Sequence, residues 1–329
     1  MLARYWLETC NTTHNVCQQS LEGIMLPLKV LDVSQPQLPR LVCGESEAQY
    51  VTLSYKWGNG KKFLMTSTNM EVLEAGFNPK VLPRTFRDAI KVTHALGLRY
   101  LWIDALCIQQ DSPEQLKQQI NLMDKIFLGS TLTIFASAAE NADVGLALDT
   151  PAKRIPVHLP INTTGSSMAS VGQVLVSPPH HWDHDYDGQG LHSRAWVLQE
   201  EVLSRRGLSF WSDQMRWRCE SKSLLPRGLS SWKLELESRQ RQLMKDEAVT
   251  EWYSMVSTYS QRHLSFRKDA LNGVAGIASL LGKTYELTYL AGLWAEDLGK
   301  GLIWRPYNLS KEPKHSNQMP EFPSWSWAS

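Results

Sequence analysis

Hydrophobic and polar positions along this chain switch between a period of two and a period near 3.6. Tyr50–Tyr55 is β-branched and aromatic and runs into Gly58-Asn59-Gly60, which predicts a strand closed by a tight loop. From Pro83, the positions Phe86, Ala89, Ile90, Thr93 and Leu96 recur at threes and fours until Gly97, the stripe of an amphipathic helix. Arg99–Ile103 reads as a second strand. Ser112-Pro113-Glu114-Gln115 is a helix start, with serine as N-cap and proline in the first turn. Leu116, Ile120, Met123 and Phe127 carry that helix to Gly129, and Thr131–Ala136 is a third strand. Single helices between strands predict an α/β fold with a parallel sheet covered on both faces.

The flanking regions read differently. Residues 1–49 form an N-terminal segment with a helix over Tyr5–Gln18 and prolines at Pro36 and Pro39. Pro151–Gly190 reads as a β-hairpin insertion ending in a long loop. A helix starting at Ser193 places Trp196 and Glu200 one turn apart on one face. Beyond it, R-R-G-L-S-F-W and Q-M-R-W-R-C-E read as a strand pair turning at Ser212-Asp213. A polar surface excursion is expected over Leu224–Met244, helix over Glu251–Leu281, and a final strand with Trp325 and Trp327 on one side. The chain stops on that motif, so a very short or missing tail is expected. The domain organisation is then an α/β domain over residues 50–210, with a mixed α+β extension over 211–329 packed on it.

An apolar content of 43% over 329 residues is enough for a full core. A net charge of +1 gives no electrostatic case for nucleic acid or an anionic membrane as partner. No stretch approaches the roughly 18–20 apolar residues of a membrane span and no signal-peptide core opens the chain, so a cytoplasmic location is expected. Five cysteines, an odd number, argue for thiols rather than a disulfide framework, with Cys107 and Cys219 as packing residues. Thirteen tryptophans imply a broad aromatic core or a stacking surface.

In open parallel sheets, ligands bind at the carboxyl ends of the strands. Ser54, Tyr55 and Trp57 follow the first strand, Asp104 and Cys107 the second, and the loop over 138–145 the third. Two metal patterns compete with this site. Cys10, His14 and Cys17 are three donors of a zinc set, but no fourth lies nearby, and a packed helix face is the expected reading. His180, His181 and His184, interleaved with Asp183, Asp185 and Asp187, are irregularly spaced and read as a solvated loop. No metal is therefore expected. Taken alone, Glu200 is a helix glutamate beside Glu201 that faces water or pairs with Arg205 or Arg206.

Four motifs, Y-V-T-L-S-Y-K-W-G at Tyr50–Gly58, L-P-R-T-F-R-D-A-I at Leu82–Ile90, Y-L-W-I-D-A-L-C-I-Q-Q-D at Tyr100–Asp111 and S-R-A-W-V-L-Q-E at Ser193–Glu200, resemble the heterokaryon-incompatibility (HET) domain of filamentous fungi. Further similarity continues through Lys268–Ala278, Tyr289–Trp294 and Pro323–Ser329. HET domains are in turn distantly similar to Toll/interleukin-receptor (TIR) domains, several of which cleave nicotinamide from NAD. The resemblance implies a TIR-like, flavodoxin-like parallel sheet flanked by helices. It implies Glu200 and Asp104 as catalytic residues, and Ser54, Tyr55, Lys56, Trp57, Gly58, Cys107, Arg194 and Trp196 as binding residues for NAD or a related nucleotide. Lys56, Ala195 and Val197 depart from the family's usual residues. The role implied is a cell-death effector in self/non-self recognition, an NAD glycohydrolase switched on by self-association into a homo-oligomer or by a partner protein. Its rivals are a non-catalytic oligomerising signalling module and a metal-dependent hydrolase built on His180, His181, His184 and the adjacent aspartates.

Overall fold

The computed structural model of the chain describes residues 2–18, 23–58, 63–148, 157–162, 171–176, 190–212, 214–219, 238–305 and 321–329. The N-terminal segment folds as helices α1 (Leu2–Thr13) and α2 (Asn15–Gln18), then strands β1 (Lys29–Asp32) and β2 (Arg40–Cys43). The α/β pattern follows in the expected order: β3 (Tyr50–Ser54), α3 (Met70–Ala75), α4 (Arg84–Ala95), β4 (Tyr100–Trp102), α5 (Asp104–Cys107), α6 (Pro113–Ile120), α7 (Met123–Gly129) and β5 (Leu132–Phe135). The hairpin β6 (Val157–Asn162) and β7 (Val171–Val176) precedes α8 (Ala195–Leu203), β8 (Arg206–Phe210), β9 (Met215–Cys219), α9 (Ser238–Ser260) and α10 (Asn272–Tyr285).

Seven strands form one sheet in the order β2-β1-β4-β3-β5-β8-β9. The central strands β4, β3, β5 and β8 run parallel, and β1, β2 and β9 add antiparallel edges. In chain order the parallel strands stand 2-1-3-4, the flavodoxin-like order, in which the chain leaves β3 to opposite sides and opens a crevice at the strand ends. β3 and β5 are buried along their whole length, as a sheet covered on both faces requires. Their buried threonines are satisfied internally: Thr52 and Thr133 hydroxyls lie 2.6 Å apart, and Thr133 meets Ser204 at 2.5 Å.

Several local expectations shift. The first helix breaks at His14, and the stripe from Leu116 to Phe127 is two helices separated at Asn121-Leu122. α8 begins at Ala195 rather than Ser193, because Gly190–Ser193 forms a 3₁₀ turn in which the Ser193 hydroxyl donates to the Gly190 carbonyl. The terminal tryptophan segment is a series of turns, not a strand: Ser326 folds back to donate to the Ala291 carbonyl, Trp327 is half-buried and Trp325 exposed. Among the described residues no helix is long and apolar enough to cross a membrane.

The extension positions the site. α8 packs against both α7 and α10, and Gly276 of α10 comes so close that a Cβ there would sit 2.3 Å from Asp124 Cβ of α7 and 2.9 Å from Gln199 Oε1. Gln199 uses the approach to accept from the Gly276 amide at 2.8 Å. The residue after Gln199 is Glu200, so the glycine-rich face of α10 fixes the height and rotation of the helix that carries it.

Candidate functional site

Burial of the β3 end dictates the first part of the site. Ser54 and Tyr55 are almost fully buried, and the Tyr55 hydroxyl donates to Asp104 Oδ1 at 2.8 Å. Trp57 Nε1 donates to the other oxygen, Asp104 Oδ2, also at 2.8 Å, and the two aromatic rings lie parallel within 5°. The Ala105 amide adds a third donor to Asp104 at 2.7 Å, so the carboxylate begins α5 and holds the aromatic wall in place at once. Gly58 lets this strand end turn. Its φ of +76° is left-handed, and a Cβ would lie 2.5 Å from Asn141 Cβ. Gly58→Ala is expected to destabilise the fold by roughly 1–3 kcal/mol, read as a lowered thermal midpoint.

The loop after β5 is held from the other side. The Thr85 amide donates to the Ala142 carbonyl, the Thr85 hydroxyl accepts from the Gly145 amide at 3.1 Å, and Asp88 Oδ2 accepts from the Leu146 amide at 3.1 Å. The Thr-Phe-Arg-Asp stretch of the second motif is therefore a clamp on this loop.

Between these walls, α8 delivers its side chains. Arg194 occupies the N-cap position and its guanidinium donates to the Tyr55 carbonyl. A cleft with about 190 Å³ of empty space is lined by Leu53, Tyr55, Trp102, Asp104, Arg194 and Glu200, with Met123 and Phe127 behind. A second, of about 280 Å³, opens beyond Tyr55 against Trp57, Phe63, Pro83, Phe86 and Asp143.

Two adjacent glutamates acquire opposite characters here. Glu200 is buried, and desolvation raises its carboxyl to about 7 although Arg194 and Ser54 pull it down; Asp104 and Glu201 add repulsion. Burial pushes Glu201 up as well, but His192, Arg262 and Arg218 carry it down to about 2. Its oxygens lie 2.7 Å from His192 Nδ1 and 3.5 Å from Arg262. His192, Arg218 and Arg262 thus gather at Glu201, while Glu200 faces the cleft with Arg194. Burial likewise raises Asp104, against Arg194 and its three hydrogen bonds.

Of the remaining sequence candidates, Lys56 is half-buried at the end of β3. Cys107 is buried beneath β4, its sulfur 3.4 Å from the Ile103 amide, and desolvation raises its thiol to about 12. Trp196 is half-buried and lines neither cleft; Trp102, Tyr55 and Phe127 supply the aromatic walls. The histidine-rich run over 180–187 lies outside the described residues, as does most of the expected excursion over 224–244.

Sequence reasoning passed over His192, which stacks on Trp211 at 5.0 Å and places Nε2 3.2 Å from the Ser137 hydroxyl. Ser137, His192 and Glu201 line up as a hydrolase triad would, but Ser137 is buried and lines neither cleft, so the row ties the β5 loop to α8. The expectation that the protein has no metal site is overturned. Cys10, His14 and Cys17 meet a fourth donor, Cys219 of β9, with all donor atoms within 4.8 Å of one another. Cys219 is part of that cluster and not simply a packing residue.

No curated protein and no solved structure matches the chain. Residues 50–200, which run from the first residue of β3 to Glu200 itself, match the family described as Heterokaryon incompatibility protein (HET). Residues 50–200 are thus similar to the HET domain, a match that spans a little under half of the chain.

Proposed function

We propose that this HET-like domain is an NAD glycohydrolase with Glu200 as its catalytic carboxylate, acting as a cell-death effector in self/non-self recognition. The observation that carries the reading is the separation of Glu200, buried at the strand ends with its carboxyl near 7, from the ion-paired Glu201. In the reaction the C1′–N bond to nicotinamide breaks and its electron pair returns to the ring nitrogen. The pyridinium ring of NAD thereby leaves as neutral nicotinamide, so no general acid is required. The ribose becomes oxocarbenium-like, and an ionised carboxylate beside it stabilises that charge. Water then adds to C1′ and passes its proton to Glu200, whose acidity near neutrality suits a base.

The surroundings support a polar ligand. Trp102 lines the cleft, and among the described residues its indole N–H has no acceptor. A buried donor left in this way favours a ligand that brings acceptors, as ribose hydroxyls and a carboxamide do. Asp104, Tyr55 and Trp57 act as a rigid wall, and Arg194 and Lys56 offer positive charge to a phosphate. The clefts on either side of Tyr55 hold only water-sized space, far less than an ordinary ligand pocket. A dinucleotide needs the two joined, which supports activation by self-association or by a partner that moves the walls.

Purified protein, dilute and concentrated, incubated with NAD is the direct test. Nicotinamide release per chain that rises with concentration is the expected result. Silence at every concentration in folded protein would favour the non-catalytic signalling module.

The pH profile tests the assignment independently. Activity is expected to rise with pH through about 7 as Glu200 ionises. Arg194→Met removes the charge that favours the ionised form and moves the profile alkaline by about one to two pH units; Asp104→Asn removes a repelling charge and moves it toward acid. Equal profiles in all three proteins would exclude Glu200 as the titrating group.

A further inference from the structure

The four donors converge at the junction of the N-terminal helices with the sheet edge. Cys10 lies in the last turns of α1, His14 at the break before α2, Cys17 in α2 and Cys219 at the end of β9. Cys10 and His14 are one helical turn apart, so both reach the same side. His14 Nδ1 is 3.4 Å from Cys219 Sγ and 3.9 Å from Cys17 Sγ. A tetrahedral zinc ion with Zn–S near 2.3 Å and Zn–N near 2.0 Å sets such separations at about 3.5–3.8 Å. The two His14 separations stand close to those values, and all four donors lie within 4.8 Å of one another.

Two further observations point to a cation. Arg206 is almost fully buried, and its Nε donates to Cys10 Sγ at 3.2 Å. Zinc with three thiolates and a neutral imidazole carries one net negative charge, which a buried guanidinium at a ligand sulfur neutralises. The sulfur side of the cluster is also shielded from water, with His14 half-buried at its edge: the three cysteines are buried, Trp217 packs against them, and Trp6 covers Trp217 with ring centroids 6.3 Å apart.

The strand register separates this cluster from the cleft. Cys219 pairs with Arg206, the first residue of β8, so it lies at the amino end of the parallel strands, whereas Asp104 and Glu200 gather at the carboxyl ends. All four coordination positions are filled by protein, as in structural rather than catalytic zinc sites. The cluster also falls outside residues 50–200.

We propose that Cys10, His14, Cys17 and Cys219 hold a structural zinc ion that clasps α1 and α2 to β9, with Arg206 as the positioning residue that balances its charge.

The test uses the full chain purified anaerobically in reducing buffer. Metal analysis is expected to give close to one zinc per chain. Exchange for Co²⁺ should give the d–d bands of four-coordinate cobalt with thiolate charge-transfer bands. Cys219→Ser should lose most of the metal, and Cys43→Ser, at an exposed cysteine outside the cluster, should keep it. Should Cys219→Ser fail to fold, His14→Cys decides: it is expected to keep the metal and shift the cobalt spectrum, and an unshifted spectrum would remove His14 from the ligand set. Folded wild-type protein with no zinc and no tetrahedral cobalt spectrum, or with Cys10 in a disulfide to Cys17 or Cys219, overturns the proposal.

Discussion

Glu200→Gln is expected to cut nicotinamide release by about 100-fold or more and, at pH 8, to make the protein more stable than wild type. The two effects have one cause. A glutamate that moves from an ordinary value of 4.5 to about 7 on folding is held in a place that disfavours its charge. Its contribution to stability is fully present below about 4.5 and is lost as pH rises through 7, because over that window the folded state binds the proton more tightly than the unfolded one. At about 1.4 kcal/mol per tenfold change in acidity, ionising it in the folded protein costs about 3 kcal/mol. Glutamine keeps the size and removes that cost, so its melting temperature should exceed that of wild type by roughly 5 °C at pH 8 and the difference should vanish near pH 4. A chain of no catalytic use for Glu200 would show the stability gain with unchanged release. Unchanged stability across the whole pH range would mean that Glu200 is not desolvated.

The parts of this architecture written locally were legible, and the parts assembled over distance were not. The strands at Tyr50–Ser54, Tyr100–Trp102 and Leu132–Phe135 declare themselves because burial on both faces demands continuous apolar runs. The helix starting at Pro83 shows its stripe because one face packs on the sheet. Asp104 and Glu200 could be singled out by their aromatic neighbours, yet no local pattern says which of Glu200 and Glu201 turns inward. That is decided by His192, Arg218 and Arg262, brought from other elements to Glu201. Trp196 has the right spacing to Glu200 for a shared face, but the wall of the cleft comes from β4 and α7 instead. Cys219 was unreadable as a ligand for the same reason. It sits in an edge strand far along the chain from Cys10, His14 and Cys17, and only the antiparallel addition of β9 to the sheet edge brings it beside α1.

Arg206→Met should have the largest effect on stability. The guanidinium is 1% exposed and donates to Cys10 Sγ, the Thr131 carbonyl at 3.2 Å, Asn11 Oδ1 at 3.0 Å and the Cys17 carbonyl at 2.9 Å. It thereby joins the residue before β5, both N-terminal helices and the start of β8. Methionine fills much of the same space without a donor, so these acceptors are left buried and unpaired and the sulfur cluster loses its neighbouring charge. Removing one partner from a buried charged network costs about 3–5 kcal/mol, to be read as a lowered denaturant midpoint. Hydrogen exchange should locate the damage, with residues 2–18 losing protection before the central strands do. Arg206→Lys should recover only part of the loss, since an ammonium keeps the charge but cannot reach four acceptors spread around a planar fork. A methionine variant within about 1 kcal/mol of wild type would mean that apolar contacts of Ala3 and Leu7 dock α1 by themselves. Because Arg206 stands at the amino end of the parallel strands and Glu200 faces their carboxyl ends, the folded fraction of Arg206→Met should retain the pH profile of nicotinamide release. The clasp then governs how much protein is folded, and the cleft what the folded protein does.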